Sequence, residues 1–231
     1  MVEKRIERNN LKKRFLHWTH TLATLFLYLT GLSWYFADGG GFLGNYQLIA
    51  TVHRISAAVF IVIPLGMLIL NFEGFKEFLR EFLSWSKNDT KWLLKTPSYF
   101  LNYDQADMPT VEGRYNPGQK FAGWLIIGVA LMLVGSGIVR VFFIHEFSPS
   151  FLVNIFSLAH RVSMAILGFV LIGHIFLGAG IFKPYRGMWR AMFGDGTLKT
   201  EFAKKHWPRW VESKAQDVVE EEESSAKLNL N

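Results

Sequence analysis

The sequence predicts an all-α integral membrane protein: a four-helix bundle with both termini cytoplasmic and an amphipathic inner-surface helix between spans 2 and 3. Three observations predict it. The 231-residue chain is 50% hydrophobic, a mean that soluble domains also reach, but its apolar residues gather into long uncharged blocks. Most Lys and Arg residues fall beside those blocks, and the connections rich in them alternate with connections that carry none. Histidines recur inside the blocks at matching depths.

Four blocks qualify as spans: Phe15 to Phe36, Leu48 to Asn71, Phe121 to Phe143 and Phe151 to Phe182. A helix rises about 1.5 Å per residue, so about 20 apolar residues cross a hydrocarbon core of about 30 Å. The fourth block is longer than needed, which predicts a tilt or a continuation past the membrane. The charged N-terminus, MVEKRIERNNLKKR, resembles the start of a signal peptide. The apolar stretch after it is too long and lacks a small-residue cleavage site, so it reads as a retained first span.

The connections set the topology. ADGGGFLGNYQ, after the first block, and HEFSPSFLVN, between the last two, carry no Lys or Arg. The N-terminal arm (Lys4, Arg5, Arg8, Lys12, Lys13, Arg14), the long connection (Lys76, Arg80, Lys87, Lys91, Lys95, Arg114) and the segment after the fourth block (Lys183, Arg186, Arg190, Lys199, Lys204, Lys205, Arg209) carry many. The positive-inside rule therefore puts both termini and the long connection in the cytoplasm. Within that connection FEGFKEFLREFLSW has aromatic and Leu residues at helical spacing, which predicts the amphipathic surface helix. Trp18, Trp34, Trp124 and Trp189 sit near span ends as interfacial anchors. Residues 1–210 form the membrane domain, and 211–231, with VEEEESS inside, form a mobile acidic tail.

Composition closes several function classes. Cysteine does not occur, which excludes disulfides, thiolate metal sites and iron-sulfur clusters held by this chain alone. A redox metal here takes histidine or oxygen ligands. The formal charge of +6 comes from topology signals beside the spans, so no nucleic-acid partner is expected.

His160 and His174 lie two heptads apart in the fourth block, on nearly one face and roughly 21 Å apart along the axis. Topology puts His160 near the outer surface, level with His53, and His174 near the inner one, level with His17 and His20. A lone intramembrane histidine is often a packing partner, but paired histidines at two depths mark a site. Bis-imidazole ligation inside a helical bundle suits electron transfer, and two b-type haems fit the arrangement. Depth favours His20 over His17 as the inner first-span ligand. Arg54 and Arg161, directly after the outer histidines, either bond haem propionates or snorkel to the surface. His145 reads as solvent-facing or an interface residue and His206 as lying beyond the membrane. A rival reading, a haem-free transporter or proton channel with a histidine relay, uses the same residues.

RFLHWT in the first span, the histidine of IATVHR, YNPGQK before the third span, the spacing in LAHRVSMAILGFVLIGH, and AKKHWPRW resemble the gamma, cytochrome b, subunit of membrane-bound respiratory formate dehydrogenases. The resemblance covers most of the chain. It implies His53 with His160 as axial ligands of the outer haem and His17 with His174 for the inner one, choosing His17 against the depth argument. It implies a non-catalytic subunit that takes electrons from an iron-sulfur (beta) subunit and a molybdenum- or tungsten-containing catalytic (alpha) subunit in the periplasm. It leaves a higher oligomer of the complex open. Related cytochromes serve periplasmic hydrogenases and sulfur-compound reductases. A menaquinone-like quinone would be reduced on the cytoplasmic side around Asn116, Gly118 and Gln119, with His174 serving both cofactors. Without the resemblance, Pro117 and Gly118 read as a simple turn into a helix.

Overall fold

Long apolar runs become long helices, and each ends at a local signal that interrupts the ladder. In a computed structural model, residues 4–36, 45–145 and 147–216 are described. The long helices are α1 (Leu11–Phe36), α2 (Tyr46–Leu70), α6 (Pro117–Phe142) and α7 (Ser150–Gly178). Between α2 and α6 come α3 (Phe72–Leu83), α4 (Lys87–Leu94) and α5 (Thr96–Leu101), and α8 (Thr200–His206) follows α7. Two short strands, β1 (Arg5–Glu7) and β2 (Thr197–Lys199), and two 3-10 turns, Lys183–Tyr185 and Met188–Ala191, make up the other elements among the described residues.

Capping residues set the helix starts. Asn45 caps α2 by accepting the amide of Leu48. Asn116 and Gln119 form a reciprocal box at the start of α6: Asn116 Oδ1 accepts the Gln119 amide at 2.8 Å and Gln119 Oε1 accepts the Asn116 amide at 3.0 Å. The expected turn at Pro117 and Gly118 is thus the first turn of the helix, with proline at its opening position. The fourth span does not continue to Phe182. It ends at Gly178 because Gly180 adopts a positive φ of 68°, the Gly180 amide bonds Leu177 O and the Ile181 amide bonds Phe176 O. A Cβ at Gly180 would lie 2.5 Å from Tyr185 O, so backbone closure requires glycine there.

Among the described residues four helices have the length of a span, and three of them, α2, α6 and α7, are also apolar enough to cross a membrane. The first expected span, Phe15 to Phe36, lies within α1. That helix opens on Lys12, Lys13 and Arg14 and carries His17, His20 and several threonines, which lower its hydropathy.

The chain divides into two compact units. The helical unit comprises the described residues of Asn10–Lys76 and Trp124–Gly173, hence α1, α2 and most of α6 and α7. Its polarity is inverted relative to a soluble bundle: Ser33 is 0% exposed, Thr30, Ser56, Ser136 and Ser163 are buried with it, and Phe169 is 81% exposed. Small hydroxyl residues inside and large apolar residues outside are the pattern of a lipid-embedded bundle. Here α1 and α2 make the most extensive backbone contact among the described long helices. Tyr28 on α1 donates its hydroxyl to Met164 O on α7 at 2.6 Å.

The second unit comprises the described residues of Met1–Asn9, Glu77–Gly123 and His174–Asn231. β1 and β2 pair antiparallel, Ile6 opposite Leu198. Trp92, Tyr99, Tyr185, Leu198, Ala203 and Trp207 form its core. Arg8 is clasped between Trp207 and Trp210, its guanidinium carbon 4.3 and 4.4 Å from the ring centroids. α3 is the amphipathic helix expected from FEGFKEFLREFLSW, and its Phe82 packs so tightly on Gly123 of α6 that a side chain there would clash. The ordered chain passes the expected boundary at residue 211: residues 208–216 are helical and Val211 is buried. The acidic run VEEEESS and the glycine-rich tip at 37–44 lie outside the described residues.

Candidate functional site

Two histidines face one another inside the helical unit. His53 on α2 and His160 on α7 have ring centroids 6.4 Å apart, with planes 55° apart. A histidine nitrogen binds a first-row metal at about 2 Å. Adding roughly 1.1 Å from nitrogen to ring centroid on each side puts two trans imidazoles about 6.3 Å apart when one metal ion lies between them. The observed separation is the one expected if both imidazoles were to bind one metal ion.

Each ring is held from behind. Thr30 Oγ1 on α1 lies 2.7 Å from His53 Nδ1, and Ser136 Oγ on α6 lies 2.9 Å from His160 Nδ1. With Nδ1 occupied on both rings, Nε2 is the nitrogen left for a metal. Gly137, next to Ser136, faces the same ring: a Cβ there would sit 3.5 Å from His160 Cε1, in ordinary contact. Trp34 packs on His53 at 5.2 Å between centroids, and its buried indole Nε1 has no hydrogen-bond partner among the described residues. Trp34 is more than the interfacial anchor its position suggested.

Of the two arginines singled out in the sequence, Arg54 and Arg161 are both exposed, and Arg161 Nε donates to Ser157 O at 3.3 Å. Sequence reasoning passed over Arg140. It lies one helical turn beyond Ser136 on α6, close enough for its charge to act on both His53 and His160. Among the described residues it forms no ion pair of its own. Thr30 and Ser136 were also missed, although the sequence marks both in one way: each hydroxyl residue is followed by glycine, Thr30-Gly31 and Ser136-Gly137.

The inner histidines are placed on separate units. His17 and His20 lie on α1 in the helical unit, and His174 lies on α7 within the second unit. The ring of His20 is stacked on Phe60 of α2 at 4.2 Å, whereas His17 meets Trp18 edge to face at 5.3 Å. His174 is exposed. His145 is exposed at the end of α6, and His206 is buried in the second unit with its ring nitrogens 2.8 and 2.7 Å from Phe202 O and Pro184 O.

Asn116 is 2% exposed, and besides capping α6 its Nδ2 donates to the Tyr185 hydroxyl at 3.1 Å. Burial pushes that phenol up to about 12, so it stays protonated at neutral pH. A cavity of about 140 Å³ is lined by Asn116, Trp92, Tyr99, Val111, Lys205 and His206. A Cβ at Gly118 would meet the Trp92 ring at 3.2 Å, so glycine allows that indole to close over the helix start.

Among the described residues no three His, Asp or Glu side chains gather as a metal-binding group. Two imidazoles alone make a poor site for a free ion, which ordinarily takes four or more ligands. They suit a metal whose remaining positions are filled by a macrocycle.

Comparisons with known proteins agree with this chemistry. A family model described as prokaryotic cytochrome b561 matches residues 9–195. The formate dehydrogenase cytochrome b556 subunit of Haemophilus influenzae is 25% identical over 94% of this chain and 87% of its own length. The nitrate-inducible formate dehydrogenase cytochrome b556(Fdn) subunit of Escherichia coli K12 is 26% identical over 95% of this chain and 97% of its own length. The cytochrome b556(fdo) subunit of formate dehydrogenase from the same strain is 26% identical over 89% and 91%. Because the family match takes in most of the chain, including both facing histidines, the chain belongs to the prokaryotic cytochrome b561 family and is a membrane cytochrome of the haem b type.

Proposed function

We propose that the chain is the dihaem membrane subunit of a respiratory formate dehydrogenase, carrying electrons from periplasmic partner subunits to a quinone reduced on the cytoplasmic side. The observation that carries the proposal is the 6.4 Å separation of His53 and His160. Their fit to haem b rests on the donor set: two neutral imidazoles, each with Nδ1 engaged, and beside them a buried indole N–H with no partner. Bound there, haem b supplies reversible one-electron chemistry at an iron with no open coordination site.

His53 and His160 hold the outer haem on the axial positions, and His17 and His174 hold the inner one. The stacking of His20 on Phe60 favours His17 for the second role, in agreement with the sequence resemblance. All four long helices cross the membrane in this reading. α1 does so with its basic first turn in the cytoplasmic headgroup region, where Lys and Arg are at low cost. Arg54 and Arg161 meet the outer headgroups or propionates. Asn116, Gly118, Gln119 and His174 receive the quinone. Asn116 supplies a buried amide whose orientation is fixed by Gln119 and Tyr185, and preorganised donors of this kind recognise a carbonyl oxygen. The dehydrogenase partners are an iron-sulfur subunit and a molybdenum- or tungsten-containing catalytic subunit, and the complex resides in the bacterial inner membrane. The relatives' names and their near full-length alignment support this choice of partner.

The test is isolation of the membrane complex through this subunit. Co-purification of a molybdenum or tungsten formate dehydrogenase with about two haem b per copy is the expected result. Purification with a nickel-iron hydrogenase redirects the donor, and a chain without b-type absorption bands overturns the reading.

A further inference from the structure

The two facing histidines are supported by the same device, used twice. On α1 the Thr30 hydroxyl lies 2.6 Å from the carbonyl of Phe26, one turn back on its own helix, and 2.7 Å from His53 Nδ1 on α2. On α6 the Ser136 hydroxyl lies 2.6 Å from the carbonyl of Met132 and 2.9 Å from His160 Nδ1 on α7. A hydroxyl has one proton and a carbonyl can only accept, so the short contact to the carbonyl takes that proton. The hydroxyl lone pair then faces Nδ1, and Nδ1 carries the hydrogen. Both hydroxyls are buried, and neither contact competes with water.

We propose that Thr30 and Ser136 are positioning residues for the outer haem, each receiving Nδ1–H from the ligand on the following helix. The inference rests on the reading of His53 and His160 as axial ligands. Three consequences follow from the chemistry. The tautomer is fixed with the Nε2 lone pair directed at the iron. Rotation of each ring about its bond to the iron is restrained, which sets the angle between the ligand planes. The accepted hydrogen bond makes each imidazole a better electron donor and so stabilises ferric over ferrous iron, while a hydroxyl, weaker than a carboxylate, keeps the effect modest. Serine or threonine in a span usually bonds its own helix and nothing more. Here the same oxygen serves both purposes.

The experiment compares Thr30→Val, Ser136→Ala and the double variant with the wild-type complex by redox titration and by electron paramagnetic resonance of the ferric haems. The expected result is a higher midpoint potential for the outer haem, altered g values for that haem alone, and haem retention about tenfold or more weaker in the double variant. Thr30→Ser and Ser136→Thr should return the wild-type potential. Unchanged potential and g values in the double variant would overturn the proposal. Retention of the outer haem in His53→Ala and His160→Ala would instead overturn the ligand reading on which it rests, so the two failures are distinguishable.

Discussion

Lys120 Nζ lies 3.2 Å from Asp89 Oδ2, and both side chains are 5% exposed. The ammonium also donates to Ser84 O, while the carboxylate accepts the Ser86 amide as part of the α4 capping box. The pair therefore ties α4, the end of α3 and the first turn of α6 into one block beneath Asn116. Removing one member strands the other charge in a dry site, which costs about 3–5 kcal/mol, whereas replacing both by apolar residues is often near neutral. Lys120→Met should accordingly lower thermal stability in detergent much more than Lys120→Met combined with Asp89→Leu. Equal losses in the two variants would show that packing, not the stranded charge, dominates.

The clasp between the chain ends carries a pH signature. The Arg190 guanidinium and the amide and hydroxyl of Thr197 hold the Asp195 carboxyl well below the usual carboxylate range. A depressed carboxylate stabilises the fold fully above its unfolded pKa of about 4 and loses that contribution as pH falls toward its folded value. Protection of the β1 and β2 amides, their exchange taken relative to the intrinsic rate at each pH, should fall on acidification below about pH 4, and Asp195→Asn should show that lower protection already at neutral pH. The side chain is half exposed, so the effect should shrink at high salt.

Arg140 places a positive charge near both outer imidazoles. A nearby cation favours the form of the iron with less positive charge, so Arg140→Gln should lower the outer haem potential, opposite in sign to Thr30→Val. Arg140→Lys keeps the charge and should shift it less. Redox titration reads both, and no difference between Gln and wild type would remove Arg140 from the site.

Asn116→Ala should leave both haems assembled and reducible by the donor but slow their reoxidation by quinone. The variant also loses the α6 cap, worth about 1 kcal/mol, so it is best compared with Asn116→Ser, which keeps a capping oxygen but has no amide group. Slow reoxidation in both variants supports the quinone role of the amide. Slowing in Asn116→Ala alone assigns the effect to the cap.

The sequence made α2, α6 and α7 legible because each is a long apolar run with few competing signals. It made α1 harder to weigh, since Lys12, Lys13, Arg14 and two histidines dilute the run that spans Phe15 to Phe36. His53 and His160 were legible because matching depth needs only topology and rise per residue. The strand pairing of Ile6 with Leu198 was not, because three-residue strands far apart in the chain carry no local period. Nor was the extension of the last helix past residue 210, since Trp210 and Val211 are buried by distant residues, Arg8 among them, and not by any amphipathic pattern of their own. Thr30 and Ser136 escaped for a different reason. A hydroxyl in a span ordinarily satisfies itself on its own helix, and only the neighbouring ring shows that its oxygen has a second use.

Haem content with redox titration of the His53→Ala complex decides whether one haem is held between His53 and His160. Two resolvable b-type haems in the wild type should become one, and the potential of the remaining inner haem should stay near its wild-type value. Two haems with wild-type potentials in His53→Ala would show that this histidine holds neither.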